Sequence, residues 1–336
     1  MKEALLWDKA EDGYVQCRLC SYNCRIKEGT FGFCSVRKNI DGSLFTYAYG
    51  KVVAENADPV EKKPLFHFLP GSSTYSIATI GCNFRCGFCQ NWSISQNAHG
   101  EIEGNWGRSA DPQSIVSSAL EQGCKSISFT YTEPTIFLEY ALDTMKIARD
   151  SGLKTVFVSN GYMSAEALEM ICPYLDACNI DLKAFTDDYY RKFCKASLAP
   201  VLESLKKIHS LGIWLEITTL VIPEENDSEE ELGGIASFIA EELDKNIPWH
   251  VSKFFPQYEL TDHPSTPAST IQRAKRIGEE SGLRYVYAGN LGGASDTVCP
   301  VCGEVIIHRS GYRTDCPWME DGRCKTCGAK ISGVWK

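Results

Sequence analysis

Three closely spaced cysteines are the residues of this chain whose types and spacing point most directly to chemistry. Cys82, Cys86 and Cys89 form a Cys-x3-Cys-x2-Cys pattern, and the aromatic Phe88 directly precedes the last of them. Three thiolates can bind three irons of a [4Fe-4S] cluster and leave the fourth iron without a protein ligand. An iron with a free position can bind a substrate or cofactor. The triad therefore predicts a catalytic cluster; a zinc knuckle that lacks one ligand is the alternative.

A second group of cysteines lies near the N-terminus and consists of Cys17, Cys20, Cys24 and Cys34. Four soft ligands so close together can close a metal site. Zinc and iron–sulfur clusters both accept four thiolates, so the residues alone leave three roles open: a zinc site, a second iron–sulfur cluster, or no metal.

A third group lies near the C-terminus. Cys299 and Cys302 form one Cys-x2-Cys-Gly knuckle, and Cys324 and Cys327 form another. Two such knuckles predict a zinc ribbon, with a rubredoxin-like iron or a disordered tail as alternatives. The remaining cysteines have no ligand spacing and are expected to be small buried apolar residues or unneeded for metal binding. They are Cys124, Cys172, Cys178, Cys194 and Cys316.

The spacing of the triad, with Phe88 before its last cysteine, resembles that of the radical S-adenosylmethionine (SAM) superfamily. The resemblance implies that the open iron chelates the amino and carboxylate groups of SAM. It also implies that an electron from the cluster splits the sulfonium and yields a 5'-deoxyadenosyl radical, which takes a hydrogen atom from a substrate. The cofactors supply the hard chemistry, and the fold positions and shields them.

Composition restricts the other function classes. The chain has 336 residues and a formal net charge of -9, which disfavours binding to long nucleic acid. No apolar run approaches the ~18 residues of a membrane helix, and the N-terminus lacks a signal-peptide pattern. Sixteen cysteines without an export signal indicate metal ligation in a reducing compartment, and we expect a cytoplasmic protein.

Strand and helix patterns alternate through the middle of the chain. The predicted strands cover residues 75–80, 126–131, 155–159, 177–182, 213–220, 250–255 and 284–287. The predicted helices cover residues 111–122, 134–151, 165–175, 201–211, 228–241 and 267–281. Such alternation predicts an α/β fold with a parallel sheet, here a partial to near-complete (β/α) TIM-like barrel at residues 71–290. Cys-rich metal-binding extensions are predicted at residues 1–70 and 291–336.

Polar residues follow the predicted strands, where barrels place their chemistry. Glu133 matches the last residue of a Gly-Gly-Glu run that in radical SAM relatives meets the methionine amino group; the alternative is a helix cap. Ser159 and Asn160 precede Gly161, a run that in glycyl-radical activases contacts SAM; the alternative is a turn. Val158 replaces an Asp of that run.

Two further strands add candidates for the cofactor pocket. Asp181 and Lys183 form an Asp-Leu-Lys run shared with the activases, which could be a buried ion pair or could anchor the SAM carboxylate. Glu216 is expected to complete the pocket. His250 is more often structural in such a position.

The whole chain resembles the radical SAM enzymes of the AmmeMemoRadiSam system. The resemblance rests on the four N-terminal cysteines, the runs at residues 58–64, 82–95, 130–134, 181–183 and 285–290, and the terminal knuckles. It implies AMMECR-type and Memo-type partner proteins, and a low-potential electron donor of ferredoxin or flavodoxin type. For the run at residues 58–68 the sequence leaves two alternatives open: a solvated turn, or a segment that faces the active site.

Three functions follow from these observations. The first is a radical SAM enzyme that modifies a protein or an RNA. The second is an activase of a glycyl-radical enzyme, similar to the pyruvate formate-lyase activating enzymes. The third is a metal-rich scaffold without catalysis, which leaves Phe88 and the strand-end residues unexplained.

Overall fold

An eight-stranded sheet forms the centre of the molecule. The computed structural model describes residues 1–96 and 107–336. The strands are β1 (Ala54–Pro59), β2 (Ser73–Ala78), β3 (Ser126–Phe129), β4 (Lys154–Ser159), β5 (Ala177–Asp181), β6 (Trp214–Val221), β7 (Trp249–Lys253) and β8 (Val286–Gly289). They lie side by side in chain order; β2 to β8 are parallel, and β1 pairs with β2 in the antiparallel direction.

Helices connect the parallel strands, as the alternation predicts. They are α1 (Pro112–Glu121), α2 (Leu138–Asp150), α3 (Ala165–Ile171), α4 (Ala199–Ser210), α5 (Glu229–Ser237) and α6 (Ala268–Glu280). Asp111, Ser164 and Ser228 cap the N-termini of α1, α3 and α5 by accepting a backbone N–H bond. A single helical turn (Trp92–Ser95) follows the cysteine triad, and the short helix Asp187–Tyr189 runs into the π-helical Tyr190–Cys194. The predicted α/β fold with a parallel sheet is confirmed.

The two faces of the sheet differ in chemistry because successive residues of a strand point to opposite sides. One face carries apolar residues such as Ile127, Phe129 and Phe157, which join the main core beneath the helices. The other face carries small polar residues, and the Thr74 and Ser128 hydroxyls hydrogen-bond across two strands at 2.7 Å. The polar groups of this face need hydrogen-bond partners, and residues 60–69 supply some of them.

Residues 60–69 cross the polar face of the sheet. Leu65 and Phe68 pack in a small buried cluster with Val156 and Ala177. The Asn179 amide donates to the backbone carbonyl of Pro64 at 2.8 Å. The segment therefore covers part of the polar face of the sheet, which the sequence patterns do not predict; we call residues 60–69 the floor segment.

The terminal extensions consist of short strands. The N-terminal strands are Lys2–Glu3, Trp7–Lys9, Val15–Cys17, Arg25–Ile26, Arg37–Ile40, Ser43–Thr46 and Lys51–Val52, the last of which pairs with Arg108–Ser109. The C-terminal strands are Thr297–Val298, Val305–Ser310, Arg313–Asp315, Met319–Glu320 and Arg323–Cys324. Strand β1, which the sequence assigns to the N-terminal extension, lies in the central sheet. No helix in the described ranges is long and apolar enough to cross a membrane.

Candidate active site

A cavity of about 550 Å³ opens at the carboxyl ends of the parallel strands. Nine of the residues predicted to form the site line it: Cys82, Cys86, Phe88, Cys89, Glu133, Ser159, Asn160, Asp181 and Lys183. They come from the loop after β2 and from the ends of three further strands, β3, β4 and β5. The volume lies in the range of small-molecule sites.

The loop that carries the triad is held on both sides. The Arg85 and Gly87 amides donate to the backbone carbonyls of Cys194 and Phe193 at 3.0 and 3.1 Å. On the other side, the Glu259 amide donates to the Gly87 carbonyl at 2.9 Å. Gly81 begins the loop at φ +95°, where a Cβ atom would lie 2.8 Å from a methyl group of Val36. Only glycine suits that position.

The three thiols have different electrostatic surroundings. Burial and the negative charge of Glu133 raise the pKa of Cys82 well above its ordinary value. A hydrogen bond with Cys194 and the positive charge of Lys183 lower the pKa of Cys86. Cys194 is therefore a neighbour of the triad that sequence reasoning treats only as a buried apolar residue. It follows Cys86 by more than a hundred residues, so no ligand spacing could have revealed the contact.

The Glu133 carboxylate is buried at the cavity wall. Its Oε1 atom accepts hydrogen bonds from the Thr135 amide, the Thr135 hydroxyl and the Ser159 hydroxyl at 3.0, 2.6 and 2.7 Å. Its Oε2 atom accepts one bond, from the Asn160 amide at 2.8 Å. A carboxylate offers about two lone pairs per oxygen, so Oε2 keeps capacity for a further donor. Burial raises the pKa of Glu133, and no ion pair to it occurs among the described residues.

Asn160 joins two parts of the site. Its Nδ2 atom donates to the Asn83 Oδ1 atom at 2.8 Å, and its Oδ1 atom accepts from the Tyr162 amide at 3.0 Å. The residue is thus fixed between the triad loop and the turn after β4. The Asn-Gly sequence forms a turn, and that turn presents Asn160 to the cavity.

Asp181 and Lys183 form an ion pair at the cavity, with 2.8 Å between Lys183 Nζ and Asp181 Oδ2. Although burial acts to lower it, the pKa of Lys183 is raised well above its ordinary value by the negative charges of Asp181 and Cys86. Lys183 Nζ also lies 5.7 Å from the centre of the Phe88 ring. Lys183 is therefore a cation beside the cavity, held by its ion pair with Asp181.

Tyr131 occupies a backbone conformation that glycine prefers. Its φ is +64°, and it stands where the related Gly-Gly-Glu run has a glycine. Asn91 donates to its carbonyl at 2.7 Å, and its hydroxyl donates to Asp58. The same Asp58 pairs with the buried Lys63 at 2.8 Å, and burial lowers the pKa of Lys63 to about 8. These contacts hold the loop in the conformation that the missing glycine would adopt freely.

Several cavity residues were not predicted as site residues. They include Tyr131, Ser252, and Tyr312 of the C-terminal module, whereas Lys62 and Lys63 of the floor segment, which also line the cavity, belong to a run that the sequence allows to face the site. The sequence left open whether the floor segment is a solvated turn or faces the site. No motif near Tyr312 marks it as a site residue. Asn290, after β8, also lines the cavity.

Glu216 does not line the cavity. Its Oε1 atom accepts from the His67 amide and the Trp214 indole at 2.7 and 3.1 Å. Its Oε2 atom accepts from the Phe66 amide and His250 Nε2 at 2.9 and 2.7 Å. The carboxylate is therefore occupied in holding the floor segment, and His250 serves the same network.

The C-terminal cysteines converge on one point. The sulfurs of Cys299 and Cys327 are 3.6 Å apart, and those of Cys302 and Cys324 are 3.7 Å apart. Around one tetrahedral zinc with Zn–S bonds of 2.3 Å, ligand sulfurs stand about 3.8 Å apart. The four thiols present thus fit a single ion, which is the arrangement expected of the zinc ribbon.

Comparisons with known proteins identify the family. The family model described as the radical SAM superfamily matches residues 76–233. An uncharacterized protein of Methanocaldococcus jannaschii is 45% identical over 99% of this chain and 100% of its own length. A pyruvate formate-lyase-activating enzyme of Clostridium pasteurianum is 21% identical over 47% of this chain and 66% of its own length.

A solved structure supports the fold alone. The crystal structure of a radical SAM methyltransferase from Sphaerobacter thermophilus superposes with a TM-score of 0.52 at 15% identity, covering 66% of this chain and 67% of that one. The family-model match confirms the resemblance to the superfamily, while membership of the AmmeMemoRadiSam group stays a prediction. Residues 76–233 of this chain are a radical SAM superfamily domain, and the chain is an enzyme whose chemistry is the reductive cleavage of SAM at a [4Fe-4S] cluster.

Proposed function

We propose that Cys82, Cys86 and Cys89 hold the [4Fe-4S] cluster and that the cavity in front of them binds SAM and the reacting part of a macromolecular substrate. The three thiols line one wall of the same cavity, which supports this assignment. Cluster and SAM together supply a radical that takes a hydrogen atom from the substrate. The protein's own residues bind, orient and shield the reactants.

Charge complementarity supports the roles of two residues. Glu133 is a buried carboxylate without a cationic partner, and it retains a lone pair on Oε2, so it would accept a hydrogen bond from the SAM amino group. Lys183 stays protonated and would attract the SAM carboxylate. Ser159 and Asn160 hold Glu133 in place and would border the ribose, with Phe88 beside the adenine.

The observation that carries the macromolecular substrate is the mouth of the cavity. Tyr312 lines the cavity and is 57% exposed, so the C-terminal module contributes directly to access. Large apolar residues of that module are also exposed, including Val301 at 72% and Trp318 at 48%. An exposed tyrosine at the cavity, on a module that exposes further apolar residues, suits docking of a larger molecule. The net charge of -9 favours a protein over a long nucleic acid.

Partners follow from the chemistry and from the resemblance. A radical SAM enzyme requires a reductant, and we propose a low-potential ferredoxin or flavodoxin for this one. AMMECR-type and Memo-type proteins are proposed as partners that deliver or hold the substrate.

The first experiment measures reductant-dependent release of 5'-deoxyadenosine from SAM by anaerobically reconstituted protein. Cys86→Ala should abolish release and keep the fold, with Cys172→Ala, outside the cysteine groups, as the matched control. Persistence of release in Cys86→Ala would disprove both the cluster assignment and catalysis at this cavity. A non-catalytic scaffold would release nothing in either protein.

The substrate class is tested by stimulating that release with fractions of cell extract. Protease treatment of the active fraction should remove the stimulation, and nuclease treatment should leave it intact. The reverse result would identify an RNA substrate. Mass spectrometry of the treated fraction would then locate the modified residue.

A glycyl-radical activase is the second candidate, favoured by the similarity to activating enzymes over about half of the chain. This function predicts a stable glycyl radical on a partner protein after SAM cleavage. Electron paramagnetic resonance of the reaction mixture would detect the radical doublet. Modification of a side chain other than glycine would eliminate this candidate.

A further inference from the structure

The N-terminal cysteines line a cavity of their own. Cys17, Cys20, Cys24 and Cys34 surround a small, apolar cavity beneath the N-terminal strands, together with Arg37 and Asn83. The sequence leaves zinc, an iron–sulfur cluster and a role without metal open for these cysteines. The arrangement of the sulfurs separates these alternatives.

The separation of the ligand sulfurs distinguishes the two ends of the chain. Within the described residues, the C-terminal four are the only group of three or more Cys, His, Asp or Glu whose ligand atoms all lie within 4.8 Å of one another. A single zinc requires sulfurs about 3.8 Å apart. The N-terminal four do not converge in this way, although they line one cavity. The active-site triad does not converge either, and that triad is proposed to bind a cubane, in which each thiolate meets a different iron.

Two buried hydrogen-bond donors at the N-terminal cavity lack acceptors. Arg37 Nε and Asn83 Nδ2 are buried and have no hydrogen-bond partner among the residues that the structure describes. Both residues line the cavity, and Arg37 Nη1 lies 3.8 Å from the Cys17 sulfur. Buried donors without partners are costly. Thiolate and sulfide sulfurs of an iron–sulfur cluster accept such bonds.

The N-terminal cavity lies against the active-site loop. The Asn83 side chain lines the N-terminal cavity, while its chain neighbour Cys82 lines the active-site cavity. A Cβ atom at Gly81 would stand 3.0 Å from the Cys34 carbonyl oxygen. Arg85 spans the same gap, since it donates to the carbonyls of Cys82 and Phe33. One layer of residues therefore separates the two cavities.

We propose that Cys17, Cys20, Cys24 and Cys34 hold a second iron–sulfur cluster, which passes electrons to the active-site cluster. One electron would pass from a low-potential donor to the N-terminal cluster, and one from there to the active-site cluster. Each transfer oxidises the giver and reduces the receiver by one electron. The metal assignment stands on the N-terminal residues alone, whereas the electron transfer rests on the proposed function of the triad.

Metal content tests the cluster directly. A Cys82→Ala, Cys86→Ala, Cys89→Ala triple variant lacks the active-site ligands, so its iron reports on the rest of the chain. After anaerobic reconstitution it should keep about four irons and four sulfides per chain, with about one zinc at the C-terminus. Two zincs without iron would overturn the proposal in favour of a zinc site. One zinc without iron would overturn it in favour of no metal.

Further variants separate the sites and guard against misfolding. Adding Cys20→Ser to the triple variant should remove or destabilise the remaining iron. Adding Cys124→Ser instead, a buried cysteine outside all three groups, should leave it unchanged. Adding Cys302→Ser should remove zinc and keep iron; loss of the iron in that variant would place the cluster at the C-terminus and overturn the proposal.

Electron paramagnetic resonance tests the electron transfer without relying on catalysis. Two reduced clusters separated by one layer of residues should couple magnetically. The spectrum of the reduced wild type should therefore be broader than the sum of the spectra of the triple variant and of a Cys20→Ser variant. A spectrum equal to that sum would overturn electron transfer between the clusters, even if both clusters are present.

Discussion

Two buried carboxylates illustrate how the open end of the sheet, at the cavity, differs from the closed end, at the floor segment. Glu133 lies at the cavity and is 1% exposed, and Glu216 lies at the floor and is 0% exposed. Each accepts four hydrogen bonds. Burial raises the pKa of Glu133, whereas the His250 hydrogen bond and charge overcome burial and lower that of Glu216.

The pKa values of the two carboxylates shift in opposite directions because their hydrogen-bond partners differ, since both are buried. Glu216 uses two acceptor positions on each oxygen and has an imidazole beside it. Glu133 has three donors on one oxygen and one on the other, and all of them are neutral. A buried carboxylate without a cation is poised to bind one. The closed end is complete in itself, and the open end requires a ligand.

The largest expected effect is on stability at the closed end. Glu216→Gln removes the partner of His250 and leaves a backbone N–H of the floor segment without a good acceptor. We expect the free energy of unfolding to fall by about 3–5 kcal/mol, measured by urea denaturation under anaerobic conditions. Glu230→Gln on the exposed side of α5 is the control. A loss below ~1 kcal/mol would mean that the floor does not depend on this carboxylate.

The next effect is on SAM binding at the open end. Glu133→Gln removes a charge-assisted hydrogen bond worth about 1.5–3 kcal/mol, so the SAM dissociation constant should rise about 10–100-fold. Equilibrium binding to the reconstituted protein measures this change. Glu216→Gln, where folded, should bind SAM as the wild type does. Equal affinity in Glu133→Gln and wild type would remove the proposed contact with the amino group.

A smaller effect is expected from the tyrosine that connects the floor to the C-terminal module. The Tyr287 hydroxyl contacts His67 Nε2 and the Thr297 hydroxyl, both at 2.7 Å. Tyr287→Phe should lower the free energy of unfolding by about 1–2 kcal/mol because two buried polar groups lose a partner. The exposed Tyr312→Phe should leave stability unchanged. Equal stability of the two variants would contradict the network.

The smallest effect is on the pH dependence of stability. A lowered pKa stabilises the fold above the ordinary carboxyl value of about 4.3, so the advantage of wild type over Glu216→Gln should shrink as pH falls below it. A raised carboxyl pKa, as at Glu133, has the opposite effect: the stability that it contributes is present at low pH and is lost as pH rises. Wild type should therefore lose stability relative to Glu133→Gln as pH rises above about 4.3. Denaturation at several pH values would measure both slopes, and slopes of the same sign would refute the contrast.

Much of the fold could be predicted from the sequence because its signals are local. All seven predicted parallel strands and all six predicted helices are present, with boundaries that differ by a few residues. Capping residues such as Asp111 and Ser164 act on the helix that follows them. The packing of the floor segment across the sheet was not predicted, because its contacts depend on strands far away in the chain.

Prediction of the site residues was likewise limited to signals that are local in the sequence. Strand-end positions indicated Glu133, Asn160 and Lys183, which do line the cavity. Glu216 is the third of the eight residues of β6, five residues before the end of the strand, and at this position it meets the floor segment instead of the cavity. Cys194 and Tyr312 come close to the triad and to the cavity only through folding.

The sequence by itself determined the superfamily and its chemistry, because three thiols at fixed spacing within one loop suffice to leave an iron open. It also determined the alternation that builds the parallel sheet. Only the tertiary structure decided which cysteine sulfurs converge on one point and which stand farther apart, since that depends on how the terminal strands pack. It also decided which buried carboxylate keeps a lone pair for a ligand, because hydrogen-bond donors from distant segments occupy one and not the other.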